Sequence, residues 1–121
     1  MECPFCKTKD ALLENDKSFA IYDKYPVNNG HILIITKRHI NTFFETTKEE
    51  KKQLLDLLEK AKNLLDDEFN PDGYNIGINE GKTAGQTIDH LHIHLIPRYK
   101  GDIKDPTGGV RGVIPDKRIY K

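Results

Sequence analysis

Hydrophobic residues recur every three or four positions between residues 47 and 69, which is the period of an α-helix. The positions that set this period are Leu54, Leu57, Leu58, Ala61, Leu64, Leu65 and Phe69. Thr47 followed by Glu50 predicts a capping box at the start of the helix, and Pro71-Asp72-Gly73 predicts its end. We expect the opposite face to be solvated surface, since it carries Glu49, Lys52, Asp56, Lys60 and Lys62.

Other segments have the alternation or the β-branched content of β-strands. Asn15 and Asp16 are turn residues that join the first two segments in a predicted hairpin, and Pro97 is expected to stop the last segment. The Gly- and Pro-rich remainder up to Lys121 predicts irregular structure. This order predicts an α+β fold, an antiparallel sheet of about five strands with one long helix. The predicted strands are Ala11 to Glu14, Ser18 to Tyr22, Ile32 to Ile35, Tyr74 to Asn79 and Ile88 to Ile96.

The last of these strands carries three histidines at alternate positions, in the segment His90-Leu91-His92-Ile93-His94-Leu95-Ile96. Successive side chains of a strand point to opposite faces, so the three imidazoles are expected on one face and Leu91, Ile93 and Leu95 in the core. A solvent-facing strand that carries histidines by chance is the alternative interpretation. The strict alternation favours a functional site.

Two kinds of chemistry suit such a row of imidazoles. His90, His92 and His94 could hold a zinc ion that activates water, or one imidazole could attack a substrate while its neighbours move protons. Three alternate residues of a strand span about 13 Å, so convergence on one ion would need strain. We therefore favour the nucleophilic interpretation.

The composition narrows the possible partners. The chain has 121 residues, 36% of them hydrophobic and 31% charged, which predicts a single domain over residues 1–121. No apolar run has the length that a bilayer requires, so we expect no membrane role. The 19 Lys and Arg residues balance the 19 Asp and Glu residues. This balance argues against nucleic acid as a partner and favours a small charged ligand.

Cys3 and Cys6 are the two cysteines of the chain. The start, Met1 to Pro4, does not have the character of a signal segment, so we expect a reducing, cytoplasmic environment without disulfides. A Cys-x-x-Cys pair in that environment indicates either metal ligands or a redox pair. A redox pair normally opens a helix after a strand, and no strand is predicted before Cys3. We therefore favour a metal site.

The histidine segment resembles the His-φ-His-φ-His-φ-φ motif, in which φ is hydrophobic, of the histidine triad (HIT) family of nucleotide hydrolases and transferases. The resemblance covers nearly the whole chain, and it implies a HIT-like fold. Pro97 to Asp102 resembles the dinucleoside polyphosphate hydrolase branch more than the phosphoramidase branch. The other matching positions are Asp23, Pro26, Gly30, His31, His39, Asn79 and Ala84 to Thr87.

The resemblance implies a catalytic group made of His31, His90, His92 and His94. His92 would take the nucleotidyl group from the α-phosphate, and water would then hydrolyse the covalent intermediate. An Nδ1 proton bonded to a backbone carbonyl would leave His92 Nε2 with its lone pair toward phosphorus. His94 would donate to the phosphate or to the leaving group, and His31 would orient the triad.

The resemblance also implies which residues bind the nucleotide. Asp23 would accept the ribose hydroxyls and Asn79 would face the phosphates. Gln86 and Thr87, in a loop that contains glycine, would hold phosphate oxygens. Phe5 would line the base pocket, with a core aromatic as the equal alternative.

Some relatives bind structural zinc through a Cys-x-x-Cys pair, a histidine after the buried strand and the first histidine of the triad. Cys3, Cys6, His39 and His90 occupy these positions, and two thiolates with two imidazoles form a closed zinc site. The alternative is that the thiols bind nothing and that His39 is a surface residue.

Three functions follow as hypotheses. The favoured one is a hydrolase that acts on the α-phosphate of dinucleoside polyphosphates or nucleoside phosphoramidates. The alternatives are a zinc-dependent hydrolase of the three-histidine type and a noncatalytic nucleotide-binding or interaction module. Because relatives are commonly homodimers, we also expect a homodimer.

Overall fold

The long helix predicted from the hydrophobic period is α1, Lys48–Phe69, in a computed structural model that describes residues 3–120. Thr47 and Glu50 form the predicted capping box: the Thr47 hydroxyl accepts from Glu50 N at 3.1 Å, and Glu50 Oε1 accepts from Thr47 N at 2.8 Å. The helix ends at Phe69, and its cap Asn70 has φ 48° in the left-handed region, so the predicted Pro71-Asp72-Gly73 segment follows directly after the cap. A left-handed residue directs the chain out of the helix before Pro71 is reached.

The strands form one five-stranded antiparallel sheet with the order β1-β2-β3-β5-β4, which confirms the α+β prediction. The hairpin of β1 and β2 is also confirmed, although β1 is shorter than predicted. The predicted fourth strand is shifted by one residue at its start and by two at its end. The bounds are β1 Leu13–Glu14, β2 Ser18–Tyr22, β3 Ile32–Thr36, β4 Gly73–Gly77 and β5 His92–Arg98.

Strand β5 differs from the prediction at both ends. It begins at His92, so His90 lies outside it, because Leu91 N donates to Ile40 O instead of to a neighbouring strand. It continues through Pro97, which was predicted to stop it. Pro97 pairs with Tyr74, and its carbonyl accepts from Asn28 Nδ2 on the side away from β4. The missing N–H of Pro97 therefore removes no bond of the ladder between β4 and β5.

The two faces of the sheet have different coverings. One face packs against α1, where the alternate residues Ile32, Ile34, Ile93 and Leu95 join the leucines of the helix in the main core. On the other face the next residues along β3, Leu33 and Ile35, pack with Phe5 and Phe19. This smaller cluster forms the floor beside which the side chains of His92 and His94 emerge.

The rest of the described chain consists of turns and loops. The segment after β5 contains two 3-10 turns, Gly109–Val113 and Pro115–Lys117, in agreement with the irregular structure predicted there. No helix within residues 3–120 is both long enough and apolar enough to cross a membrane. The predicted domain of residues 1–121 includes Met1, Glu2 and Lys121, which lie outside the described residues.

Candidate active site

The pleat of β5 places His92 and His94 on one face, where they border a cavity of about 670 Å³. Their ring centroids are 5.0 Å apart. The cavity also contains four of the predicted nucleotide-binding residues, which come from four separate parts of the chain. These are Phe5, Asp23, Asn79 and Thr87.

The proton position of His92 follows from its backbone contact. His92 Nδ1 lies 2.8 Å from the carbonyl oxygen of His90, which can only accept a hydrogen bond. In the neutral ring, Nδ1 therefore carries the proton and Nε2 carries the lone pair. This is the tautomer that we expected of a nucleophilic imidazole.

His31 and His94 are coupled through their rings, and a backbone amide fixes the direction of the coupling. Val27 N donates to His31 Nδ1 at 3.1 Å, so the proton of the neutral His31 ring sits on Nε2. His31 Nε2 lies 3.0 Å from His94 Nδ1 and donates to it. His94 consequently carries its own proton on Nε2.

Burial keeps both of these rings neutral at ordinary pH. Desolvation lowers the pKa of His94 to about 4, and repulsion from His92 and His31 acts in the same direction. Desolvation also lowers the pKa of His31, while the nearby Asp23 carboxylate, 3.5 Å from its Nε2, raises that pKa by a smaller amount. The assignment of tautomers to neutral rings therefore holds for both residues.

Asp23, at the end of β2, presents its carboxylate to the cavity. Its Oδ1 accepts from Tyr25 N at 3.0 Å, and this bond holds the side chain in place. Phe5 is 7% exposed and packs on the smaller cluster, with its ring centroid 5.1 Å from that of His92. Phe5 is thus both a cavity-lining residue and a core aromatic, so the two interpretations that we considered equal are compatible.

Gln86 does not lie where its predicted role requires. Its side chain is buried and is not among those that line the cavity. Its Nε2 donates to Asn41 and to Ile88 O at 3.1 Å, and its Oε1 accepts from Gly81 N at 2.9 Å. The amide therefore anchors the loop, and the part of the loop that borders the cavity is Gly85 and Thr87. Gly85 has φ 93°, a conformation that a side chain at this position would strain.

The second predicted site also comes together in the fold. Cys3 Sγ and Cys6 Sγ lie 3.2 and 3.6 Å from His90 Nδ1, and Cys6 Sγ lies 3.1 Å from His39 Nδ1. All four ligand atoms are within 4.8 Å of one another. Sulfur and nitrogen atoms bound to one tetrahedral zinc are about 3.6 Å apart, so this set of donors fits zinc.

The hydrogen bond made by the other ring nitrogen of His90 is also typical of a histidine that binds metal. His90 Nε2 lies 2.7 Å from Thr36 O and must donate to it, so Nδ1 presents its lone pair to the two thiols. Burial lowers the pKa of this imidazole, which keeps that lone pair available. His90 is therefore oriented toward the cysteines and not toward the cavity.

A second set of potential metal ligands, Asp23, His31 and His94, lies at the cavity. A neutral His31 could bind metal through Nε2 only with its proton on Nδ1, but Nδ1 already accepts from Val27 N–H. The structure therefore favours a proton relay at these residues. Neither group of possible ligands found within residues 3–120 contains His92. This geometry argues against a zinc held by all three histidines of the triad.

A second cavity, of about 760 Å³, continues from the first along β5 and under the C-terminal segment. The two cavities share Asp23, Tyr25, Asn79 and His94. Arg98 lies at the far side of the second cavity and makes a bidentate ion pair with Asp102, with both distances 2.8 Å. It is therefore a structural residue here.

Sequence reasoning missed the apolar wall of the first cavity. Ile21, Leu33 and Ile88 line it, and the alternation of β2 and β3 could have identified the first two, since their neighbours face the helix. It also missed the backbone groups of Val27 and Thr36. No sequence signal reports which backbone atom a distant ring will meet.

Residues 6–101 match the family described as the HIT domain. The chain is 35% identical over 99 residues to a bis(5'-adenosyl)-triphosphatase of Dictyostelium discoideum, an alignment that covers 82% of this chain and 66% of that protein. It is 34% identical over 100 residues to an AP-4-A phosphorylase of Mycobacterium tuberculosis, with 80% of this chain and 51% of that protein covered. The chain thus spans about two thirds and about half of the lengths of these relatives.

Solved structures share the fold. A HIT family protein from Bacillus anthracis superposes with a TM-score of 0.77 at 37% identity, over 83% of this chain and 75% of the other. A zinc-bound histidine triad family protein from Mycobacterium smegmatis superposes with a TM-score of 0.74 at 31% identity, over 85% and 79% of the two chains.

Proposed function

The chain belongs to the HIT domain family, and from this premise we propose that it is a nucleotide hydrolase in which His92 is the nucleophile. The observation that carries the proposal is the 2.8 Å contact between His92 Nδ1 and His90 O at the wall of the cavity. It leaves Nε2 as an unprotonated nitrogen beside space for a phosphate. Relatives named as a triphosphatase and a phosphorylase of dinucleoside polyphosphates support this substrate class.

In the proposed reaction, His92 Nε2 forms a bond to the α-phosphorus, and the bond from that phosphorus to the bridging oxygen or nitrogen breaks. The electron pair leaves with the polyphosphate or the amine, toward which His94 Nε2–H donates as negative charge develops. Water then attacks the nucleotidyl-histidine and releases the nucleoside monophosphate. His31 takes part as a positioning residue that keeps the His94 proton on Nε2.

The nucleotide would lie across the cavity. The base would contact Phe5, the ribose hydroxyls would donate to Asp23, and the phosphates would meet Asn79 and Thr87. These assignments are supported by the position of all four residues at the cavity that contains His92. Gln86 is left out of the contact set, because its amide is used within the loop.

We propose further that Cys3, Cys6, His39 and His90 hold a structural zinc ion. The fit of the four donors and the zinc-bound relative support this assignment. Four protein ligands leave no position for a reacting water, so zinc would stabilise the site and would not activate the nucleophile.

We also propose that the protein is a homodimer. The five residues of β4 form one edge of the sheet, and Ile76 on this strand is 49% exposed. An exposed strand edge with an apolar side chain is a surface that a second copy can cover.

The test is the variant His92→Ala, assayed with diadenosine triphosphate and with an adenosine phosphoramidate. Loss of the nucleophile should lower kcat by at least about a thousandfold, while zinc stays at one per chain. Mass spectrometry of wild type quenched with denaturant at alkaline pH, where a P–N bond to histidine survives, should show one added nucleotidyl group, which the variant lacks. Zinc lost together with activity would support a three-histidine metalloenzyme. Nucleotide binding without turnover by wild type would support a noncatalytic module.

A further inference from the structure

The segment that supplies two of the zinc ligands also supplies one wall of the nucleotide cavity. Cys3 and Cys6 belong to the metal cluster, whereas Pro4 and Phe5, which lie between them, line the cavity. Phe5 begins a single 3-10 turn, Phe5–Lys7. The backbone hydrogen bonds at the two ends of this turn are long, 3.4 Å for Lys7 N to Pro4 O and 3.3 Å for Thr8 N to Phe5 O.

A second connection between the two sites passes through His90. Its Nδ1 faces the thiols, and its carbonyl oxygen accepts from His92 Nδ1. His90 lies outside β5, so the ladder of that strand does not fix its carbonyl. A metal bound at the ring of His90 would therefore hold the atom that sets the tautomer of the nucleophile.

We propose that zinc in the Cys3, Cys6, His39 and His90 cluster and a nucleotide in the His92 cavity bind cooperatively, each raising the affinity for the other. This inference rests on the proposed function. The first ligand to bind orders the turn that carries Phe5, so the second ligand does not have to order it again. Because binding free energies are linked, the two affinities must change by the same factor.

The experiment measures the linkage from both sides on the full chain. The zinc dissociation constant is determined by competition with a chromophoric chelator, with and without saturating AMP. The AMP dissociation constant is determined by calorimetry on the zinc-loaded and the metal-free protein. We expect AMP to lower the zinc dissociation constant about fivefold or more, and metal removal to raise the AMP dissociation constant by the same factor.

The variant Phe5→Ala tests the route through the turn, since it removes the ring and leaves all four ligands in place. We expect it to keep one zinc per chain and to lose most of the linkage. Phe44→Ala is the matched control, because Phe44 is 81% exposed and lines neither cavity. The linkage in this control should equal that of wild type. Full linkage in Phe5→Ala would overturn the role of the turn.

Nitrogen-15 NMR of the wild type tests the route through His90 and does not depend on any variant. The zinc-loaded protein should show His92 protonated at Nδ1, and metal removal should populate the other tautomer. An unchanged His92 would overturn this route.

The outcomes separate the inference from the proposed function. AMP and zinc that both bind, with dissociation constants that do not affect each other, would overturn the cooperativity alone. A protein that binds no zinc would overturn the proposed zinc site and the cooperativity, and a protein that binds no AMP would overturn the proposed function and the cooperativity together.

Discussion

At the residue scale, each buried histidine shares one ring nitrogen with the backbone. His90 and His92 donate to carbonyl oxygens, whereas His31 accepts from an amide. Because of these contacts, rings of the same chemistry present different groups to their surroundings. His90 offers a lone pair to the thiols, His92 offers one to the cavity, and His94 offers a proton.

The role of His31 can be tested through the leaving group. In His31→Leu, the His94 ring loses its donor at 3.0 Å and can move its proton to Nδ1. We expect kcat to fall by about a hundredfold for a substrate with a poor leaving group, with little change in KM. The loss should be much smaller for a nucleotide ester of an acidic phenol, which needs no donor.

His31→Gln is the conservative control, because its amide can still donate to His94 Nδ1. It should recover part of the activity toward the poor leaving group. An equal loss for good and poor leaving groups would contradict the role of His31 in holding the His94 proton.

The pKa of His94 predicts how stability changes with pH. An unfolded histidine takes up a proton near pH 6.5, whereas the folded state resists protonation of His94 until about pH 4. The unfolded state therefore binds more protons between these values, and the free energy of unfolding falls as the pH is lowered through this window. One such proton contributes a slope of up to about 1.4 kcal/mol per pH unit.

His94→Asn should reduce this slope, as measured by urea unfolding at several pH values from 4 to 7. His31, whose pKa is also lowered, contributes to the slope of both proteins. Identical slopes for wild type and variant would show that His94 titrates normally in the folded state.

The residue types of the candidate site were predictable from the sequence, but the partners of these residues were not. Asp23, Asn79 and Thr87, which the motif suggested as nucleotide-binding residues, line the cavity, and their roles stay predictions. Gln86 does not line the cavity, because its amide donates to Asn41, which lies 45 positions earlier in the chain. Such a contact depends on how two loops pack, and a local pattern carries no record of that packing.

At the element scale, the helix and the five strand segments followed from the hydrophobic pattern, since one face of each must be buried. The ends of the elements did not follow in the same way. Strand β5 begins after Leu91, whose N–H donates to Ile40 O, and it ends at Arg98, the last residue that pairs with β4. The end of α1 depends on a single left-handed residue, Asn70.

This helix end gives a direct test. Asn70→Val places a β-branched residue at φ 48°, which should lower the free energy of unfolding by about 1 to 2 kcal/mol. Asn63→Val, at an exposed position inside α1, is the matched control. It should lower the free energy of unfolding by only about a few tenths of a kcal/mol. Both are measured by urea denaturation. Equal losses would show that the left-handed conformation is not the cause.

At the scale of the whole molecule, the candidate site is assembled from distant parts of the chain. The N-terminal segment, the end of β2 and the loop before β5 meet at one face of the sheet. A single domain over residues 1–121 stays a prediction. The sequence predicted an antiparallel sheet and one long helix, whereas the cavity depends on the strand order β1-β2-β3-β5-β4, which brings β5 next to β3.

The proposed dimer belongs to this scale. Ile76→Lys places a charge on the exposed edge strand and should convert a dimer to a monomer in sedimentation velocity experiments. Leu55→Lys is the matched control, because Leu55 is 53% exposed on α1. It should leave the molecular mass unchanged. A dimer that tolerates Ile76→Lys would place the interface elsewhere.

The backbone amide of Val27 and the backbone carbonyl of Thr36 decide which histidine presents a lone pair and which presents a proton. Each is a dipole of the main chain aimed at one ring, and the two dipoles have opposite sense. Judged by amino-acid identity alone, Asp23, His31 and His94 could bind a metal ion as readily as the cluster of Cys3, Cys6, His39 and His90. The polarity of the nearest peptide unit separates them: Thr36 O leaves a lone pair on His90 Nδ1 facing the thiols, whereas Val27 N–H leaves a proton on His31 Nε2 facing His94. The first arrangement suits a cation, and the second suits the transfer of a proton.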